Sequence, residues 1–512
     1  MTENVLQEDK SLIEKKKGAE AFGKLALPAL AFSVLWIACL YRNPAGILYP
    51  VFMAGTLWLL RYTAAKTGHS PEDARSRRIR AFYEVSMLLI SVQMCTTASG
   101  VLHDLDFLAC VLLGISYVNR IWQTAENKSL AGRLGEIALT FVYPLIRLPE
   151  PVMDALSFRQ EKGRDKNENS SSQAVVRGLL IAAPFLFVVI LLLRSADLVF
   201  GRLIDGMLDI FSLPDYSEYI IEIVLQTIFT FVSFYTICKA LSEKEAVSEK
   251  EHVPGGNPVT GITVLTLVAA VYLIFCAIQL IYLFGHAELP EGVSYAQYAH
   301  EGFYQLVFVC ILNLSLVSVT RYVFKDNRIL RLLLVIICCC TYVMIASCAT
   351  RMILYVNVYR LTFLRLFVLW FLVVLALVLT WLLIEAAGRK FPVFTASAVT
   401  VTVLYLIFGF SHPDYWIARY NMSPARSASA VEYREETGSG PDRYDRYLDK
   451  VYLATNLSDD AVPAIAKDPE LMQMRIEHQN QSDIPQDKNM LQKVRTFNFS
   501  EYAAQKYYDQ YR

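Results

Sequence analysis

The chain has 512 residues, of which 54% are apolar and only 19% charged, and its mean hydropathy is +0.36. A soluble globular chain carries roughly a quarter charged residues, so this composition belongs to a membrane protein. The 48 basic residues balance the 48 acidic ones, which excludes a polycationic nucleic-acid binder and an acidic disordered chain.

A bilayer core takes about 20 mostly apolar residues per helix, and about eleven runs satisfy that length. They fall at 25–41, 45–62, 82–101, 105–122, 174–193, 219–238, 259–284, 302–320, 329–353, 362–385 and 392–410. The opening 1–24 stretch is charged, and a second run follows the first almost at once, so the first run is expected to be an uncleaved anchor. Residues 134–158 are apolar but carry Pro144, Pro149, Pro151, Arg147 and Glu150, which predicts an interfacial or re-entrant segment rather than a span. The Asn/Ser-rich linker 159–173 then divides a front part, 1–158, with four runs, from a rear part, 174–410, with seven. No sequence repeat relates the two parts, so inverted-repeat symmetry has no support.

The remainder, 411–512, is polar enough to form a soluble helical tail. Tyr444, Tyr447, Leu448, Val451 and Tyr452 have the spacing of one helix face, with Asp442 as N-cap. Ser458 is expected to cap a second helix over 461–466, a third begins at Pro469, and a fourth follows Ser500 through Tyr502, Tyr507 and Tyr508.

Lysine and arginine near helix ends orient the chain, because such segments stay cytoplasmic. Lys15, Lys16, Lys17 and Lys24 place the N-terminus inside. Arg75, Arg77, Arg78 and Arg80, then Arg120, Lys128 and Arg133, then Arg321, Lys325, Arg328 and Arg331 fall on the same side. The opposite connections, His103 to Asp106 and His286 to Glu301, are acidic or neutral. Eleven crossings leave the tail outside, and one crossing more or fewer would reverse it.

The ten cysteines lie in or at the ends of apolar runs, and none falls in the last hundred residues, which excludes a disulfide framework or zinc site in the soluble part. Cys338, Cys339 and Cys340 are consecutive, so on a helix they point about 100° apart and cannot converge on one ion.

Ionisable groups at mid-membrane usually mark ion pathways. None occupies the centre of a run: Glu84, Arg194, Glu222, Arg351 and Glu385 fall toward run ends, where snorkelling or interfacial water can solvate them. The intramembrane polar residues are amides, Gln93, Gln226, Gln279 and Asn313, and these are expected to lock helices by hydrogen bonds. Arg351, Arg360 and Arg365 break the charge pattern, lying on the outer side and interleaved with Tyr355 and Tyr359. Guanidinium forks suit carboxylate or phosphate oxygens and tyrosines sit well at headgroup level, so these five residues form a candidate anion or lipid-headgroup site. The competing reading is interfacial anchoring, or pairing with Asp104, Asp106, Asp197, Asp205 or Glu301.

His286, Glu288, His300 and Glu301 lack metal-ligand spacing, and no metal is expected. Asp104 and Asp106 read as outer-connection acids of the kind used by membrane glycosyltransferases, but the first outer connection here is little more than Arg42-Asn43-Pro44. No phosphate loop, nucleophile elbow, zinc helix or Cys-x-x-Cys pair occurs, so no catalytic residue or cofactor is assigned.

Five blocks, in order, carry a family likeness. They are Leu193-Arg194-Ser195-Ala196-Asp197-Leu198-Val199-Phe200, Gln279-Leu280-Ile281-Tyr282-Leu283-Phe284-Gly285, 295–306 (YAQYAHEGFYQL), Tyr359-Arg360-Leu361-Thr362-Phe363-Leu364-Arg365, and Leu457-Ser458-Asp459-Asp460-Ala461-Val462-Pro463-Ala464. Over roughly 180–466 the chain resembles the bacterial polytopic membrane proteins grouped as domains of unknown function 4153 and 4173. Relatives tend to have Tyr-Gly-Leu-Thr where Tyr359-Arg360-Leu361-Thr362 stands, and an arginine where His300 stands. A turn that needs positive φ at the glycine would be strained by Arg360.

The expectation is an all-α polytopic transmembrane bundle of about eleven helices with a small helical extramembrane tail. The expected location is the bacterial cytoplasmic membrane, with the N-terminus cytoplasmic and the tail extracytoplasmic. A non-enzymatic binding, sensing or scaffold protein of the cell envelope leads, ahead of a transporter or flippase for an amphipathic anion and of a lipid-dependent transferase. The expected partners are the lipid bilayer, an anionic lipid or envelope ligand, and a protein bound through the tail, but no nucleic acid.

Overall fold

A computed structural model describes residues 2–43, 45–69, 74–122, 130–161, 216–243, 254–284, 303–389, 391–423, 450–482 and 490–511, with isolated positions between 193 and 202. The described membrane part is helical throughout. Its helices are α1 (Thr2–Leu40), α2 (Leu48–Lys66), α3 (Ala74–Thr96), α4 (Gly100–Trp122), α5 (Leu130–Ile146) and α6 (Glu150–Glu161). After the linker come α7 (Tyr216–Glu243), α8 (Pro258–Phe284), α9 (Phe303–Val323), α10 (Arg328–Tyr359), α11 (Phe363–Ala386) and α12 (Val393–Phe410).

Only an element that satisfies all its backbone groups internally is stable in lipid, and long apolar helices do so. Among the described residues, eight helices are long and apolar enough to cross a membrane. They are Ile13–Leu40 of α1, α4, Tyr219–Glu243 of α7, Pro258–Ile281 of α8, α9, Arg328–Asn357 of α10, α11 and α12. The chain is therefore an integral, multi-pass membrane protein. The runs at 45–62 and 82–101 are also helical, as α2 and α3, but fall outside those eight, and α3 opens on Arg75, Arg77, Arg78 and Arg80. The run at 174–193 lies outside the described residues but for Leu193. On α8, Leu267, Val271, Ile274, Ile278 and Ile281 form one exposed stripe, a surface that acyl chains cover.

Two buried apolar clusters organise the bundle. The first joins α1 to α5 with α7, whose Phe234, Tyr235, Cys238 and Leu241 enter it from beyond the linker. The second centres on α10, whose Leu334, Ile337, Cys338, Met344 and Cys348 are buried against α8, α9 and α11. Contacts of α12 with α3, and of α9 with α5, tie the clusters together. Packing thus crosses the linker instead of following chain order.

The proline-rich stretch 134–158 forms two helices. Pro151 sits in the first turn of α6, where its missing N–H costs nothing. Asp154 of α6 accepts from the Tyr235 hydroxyl (2.7 Å) and Lys239 Nζ (2.6 Å) of α7, while Arg147 pairs with Glu243 (2.7 Å). Neither helix is among the eight long apolar ones, and the charges that argued against a span are neutralised by α7. On α5, Thr140 and Tyr143 face inward and Phe141, Leu145 and Ile146 outward.

The tail follows α13 (Pro413–Asn421). Residues 450–455 are helical, and a 3-10 turn (Asp459–Ala461) leads into α14 (Val462–Ile465), α15 (Pro469–Ser482), α16 (Met490–Arg495) and α17 (Phe499–Tyr511). The helix expected around Tyr444 to Val451 begins outside the described residues, as does its cap Asp442. One expected cap of the tail is corrected. Ser458 caps nothing with its side chain: its hydroxyl donates to Asp414 at 2.6 Å. The first turn of α17 is capped by Asn498, which accepts from the amides of Ser500 and Glu501. The third helix, α15, does begin at Pro469, and Asp468 caps it by accepting from the Glu470 and Leu471 amides. Arg475 holds the tail core, donating to Tyr508 (2.8 Å), to the Ala454 and Leu457 carbonyls, and to Asp459 (2.8 Å).

Candidate functional site

The five Arg/Tyr residues divide into two groups. Arg351, Tyr355 and Tyr359 recur every four residues and so share one face of α10, with the two tyrosine rings 4.7 Å apart. At the helix end Arg360 reverses the chain with φ 69° and ψ 172°, a conformation that favours glycine. Three side chains hold that turn. Arg365 Nη1 donates to the Tyr359 and Arg360 carbonyls, which are α10's terminal acceptors, and its guanidinium lies 4.5 Å from the Tyr355 ring centre. Asn421 of α13 bonds both the amide (3.0 Å) and the carbonyl (2.8 Å) of Leu361, and the Tyr452 hydroxyl meets the Phe363 amide.

Tyr355, Tyr359, Arg360 and Arg365 are thus gathered at the α10–α11 turn, where Tyr359 is 48% exposed. Arg351 lies two turns deeper and is buried, donating to Gln279 Oε1 of α8 at 3.3 Å, which also accepts from Ser347 at 2.7 Å. Of the acids considered as partners, Asp197 bonds the Phe200 amide and Asp106 bonds α3 and α12, while Asp205 and Glu301 lie outside the described residues.

Of the four intramembrane amides, Gln93, Gln279 and Asn313 bridge helices and Gln226 bonds within its own. Asn313 of α9 accepts from Tyr272 of α8 (2.6 Å) and donates to Thr341 of α10 (2.9 Å). Gln226 donates to Glu222, one turn earlier, and Glu222 accepts from Tyr41 and Arg42 at the end of α1. Glu84 is likewise paired rather than snorkelling, bound by Arg61 and by Tyr117. Cys338 and Cys340 are buried and Cys339 is exposed, so the three thiols diverge.

Two acids are corrected in place. Asp104 and Asp106 belong to α4, not to an outer connection, because the α3–α4 junction is only Thr97–Ser99. Asp104 is exposed, whereas Asp106, two residues on and so on the other side of the helix, is fully buried and accepts from Gln93 (2.7 Å) and the Tyr405 hydroxyl. Gly409 makes this approach of α12 possible, since a Cβ there would fall inside the Gln93 amide.

The feature not foreseen lies where the tail meets the bundle. Asp460 accepts from the Thr97 hydroxyl, the Ala98 amide (2.9 Å) and the Ser500 hydroxyl, and pairs with His412 Nδ1 at 3.3 Å. Asn498 adds a bond to the Thr97 carbonyl (2.6 Å). The tail and the α3–α4 junction therefore lie on one side of the bundle. Hydrogen bonding to Asp460 raises His412 above the ordinary histidine range. Burial alone would raise Asp460, but its bonds from His412, Ser500, Thr97 and Ala98 outweigh that and hold the carboxyl below its usual range. Ser458, Asp459 and Asp460 all belong to the block that carried the family likeness, and that block was the available signal. At the far end of α3 and α4 a cavity of ≈ 30 Å³ is lined by Tyr83, Asn119, Arg133 and Thr395, room for two or three water-sized groups at ~10–15 Å³ each.

No curated protein and no solved structure matches the chain. A family model does, over residues 85–467, a span that includes Asp106, the Arg/Tyr turn and Asp460. The chain belongs to the family described as domain of unknown function (DUF4153).

Proposed function

We propose that this protein is a non-enzymatic binding or scaffold protein of the cell envelope, with the α10–α11 turn as its site for an anionic headgroup or envelope anion. The observation that carries this is the Tyr355–Tyr359–Arg360–Arg365 cluster, a turn held by side chains that presents the exposed Tyr359 ring beside two half-buried arginines at the end of a long apolar helix. Amphipathic rings and cations at that level suit phosphate-bearing lipid. The rigidity matters, because a preformed site loses less entropy on binding. The docked tail extends the same surface and offers a place for a protein partner.

Transport of an amphipathic anion fits less well, since Gln279 and Asn313 are buried and occupied in helix-to-helix hydrogen bonds. A transferase that uses Asp106 fits least, because that acid is enclosed by Gln93 and Tyr405. The reading includes a bacterial cytoplasmic membrane with the tail outside, supported by the basic residues at the end of the bundle opposite the tail.

Native mass spectrometry of the full chain tests it. Tyr359→Ala with Arg360→Gly removes ring and charge while leaving Arg365 to hold the turn. Retention of an anionic phospholipid over a zwitterionic one should fall at least several-fold, with unchanged assembly. Equal retention would remove the site.

A further inference from the structure

Asp106 sits in the second turn of α4, enclosed on every side. Its Oδ1 takes both available donors, Gln93 Nε2 at 2.7 Å and the Tyr405 hydroxyl. Its Oδ2 is buried with no hydrogen-bond partner among the described residues, and so is Oε1 of Gln93. Two donors thus converge on one oxygen while two buried oxygens have none, an arrangement that a hydrogen on the carboxyl would relieve.

The ionisable groups facing the carboxyl are Tyr405 from α12, Tyr49 from α2 and Cys110 from α4 itself, with the amide of Gln93 from α3. None of these is a cation. On the other neighbours of α4, α5 meets it at Thr140 and Asn119, more than three turns away, while Glu222 and Lys239 of α7 are engaged with Arg42 and Asp154. A carboxylate withdrawn from water and left without a positive partner is far less stable than the neutral acid.

We infer that Asp106, Gln93 and Tyr405 form a proton-binding site in which the carboxyl is held as the neutral acid, its proton supplying the missing donor. The site has a mechanical address. Asp106 lies seven residues past Ser99, about 10 Å along the helix at ~1.5 Å per residue, and the Thr97–Ser99 junction is what the tail grips through Asp460. Loss of the proton places an unpaired charge at the contact of α3, α4 and α12, so proton occupancy and tail docking are linked through the same three helices.

Infrared difference spectroscopy of the full chain in lipid nanodiscs, wild type against Asp106→Asn at pH 7, reads the proton directly. The expected difference is loss of one protonated-carboxyl C=O band, sensitive to deuterium exchange. Loss of a carboxylate band pair in its place would overturn the inference. Tyr405→Phe keeps the acid but removes a donor from its oxygen, so the same band should move to higher frequency. An unmoved band would reassign it to another residue. In thermal unfolding, the wild-type midpoint should fall in alkali, and Asp106→Asn should retain the wild-type midpoint at pH 7 and lack that fall; an equal alkaline fall would count against the site. A wild-type midpoint that tracks sodium at fixed pH would show that a metal cation, not a proton, fills it.

Discussion

Replacing Asp460 by alanine should release the tail from the bundle. The carboxylate is enclosed and serves three hydrogen-bond donors and His412. Hydrogen bonds to a charged group are worth about 1.5–3 kcal/mol each. They are not additive, and the Ser500 and Thr97 hydroxyls can recover water at the membrane surface once the tail lifts. Removal of one partner from a buried charged network costs about 3–5 kcal/mol, and we take that range for Asp460→Ala. A factor of ten corresponds to about 1.4 kcal/mol, so opening of the tail should become more frequent by about two to three and a half orders of magnitude. A cysteine at position 504, where the native alanine is buried, reports opening through its rate of modification by a maleimide in nanodiscs. Asp460→Asn, which keeps one acceptor oxygen, should fall between. A rate in Asp460→Ala within threefold of the parent would refute the assignment of Asp460 as the tail's anchor.

The same assay across pH should show a window. His412 is raised by Asp460, so its contribution is complete below the ordinary histidine value of ~6.5 and is lost as pH rises through its elevated one. Asp460 is lowered, so its contribution is present above ~3.9 and is lost as pH falls through its depressed value. Tail opening should be slowest between those limits, and His412→Gln should flatten the alkaline limb alone. Arg360→Gly should raise the unfolding midpoint, because relief of about 1–3 kcal/mol of backbone strain exceeds the 0.5–1 kcal/mol that glycine's freedom costs; a lowered midpoint would mean that the arginine side chain outweighs its backbone. Gly409→Ala should destabilise by about 1–3 kcal/mol through overlap with Gln93, measured by the same unfolding, and Gln93→Ala should restore part of the loss.

Apolar run length located most of the helices because a bilayer imposes one length on every span. Over 134–158, composition does not reveal that Lys239 and Glu243, roughly ninety residues on, neutralise the charges there. Asp104 and Asp106 looked alike as residue types. Their difference comes from a three-residue junction that starts α4 at Gly100 and turns one acid outward and the next inward. Gln93, Gln279 and Asn313 were readable as helix locks because a polar group in lipid must find a partner, whereas Gln226 found its partner on its own helix. Arg365 was not readable as a clamp, for a guanidinium suits a backbone carbonyl as well as a phosphate. The hub at Asp460 joins residues 363 positions apart, and no local pattern carries that information. The strain at Arg360, by contrast, was visible as a departure from a family glycine, and its φ of 69° retains the turn that glycine would make.

The claim that the α10–α11 turn holds an anionic headgroup is tested most directly in the native membrane. A photo-crosslinking amino acid at position 364, where Leu364 is exposed beside Arg365, leaves the Arg/Tyr cluster intact. After irradiation, mass spectrometry of the full chain should find adducts of anionic phospholipid enriched well above their share of the membrane. Adducts in proportion to the bulk lipid would contradict the account.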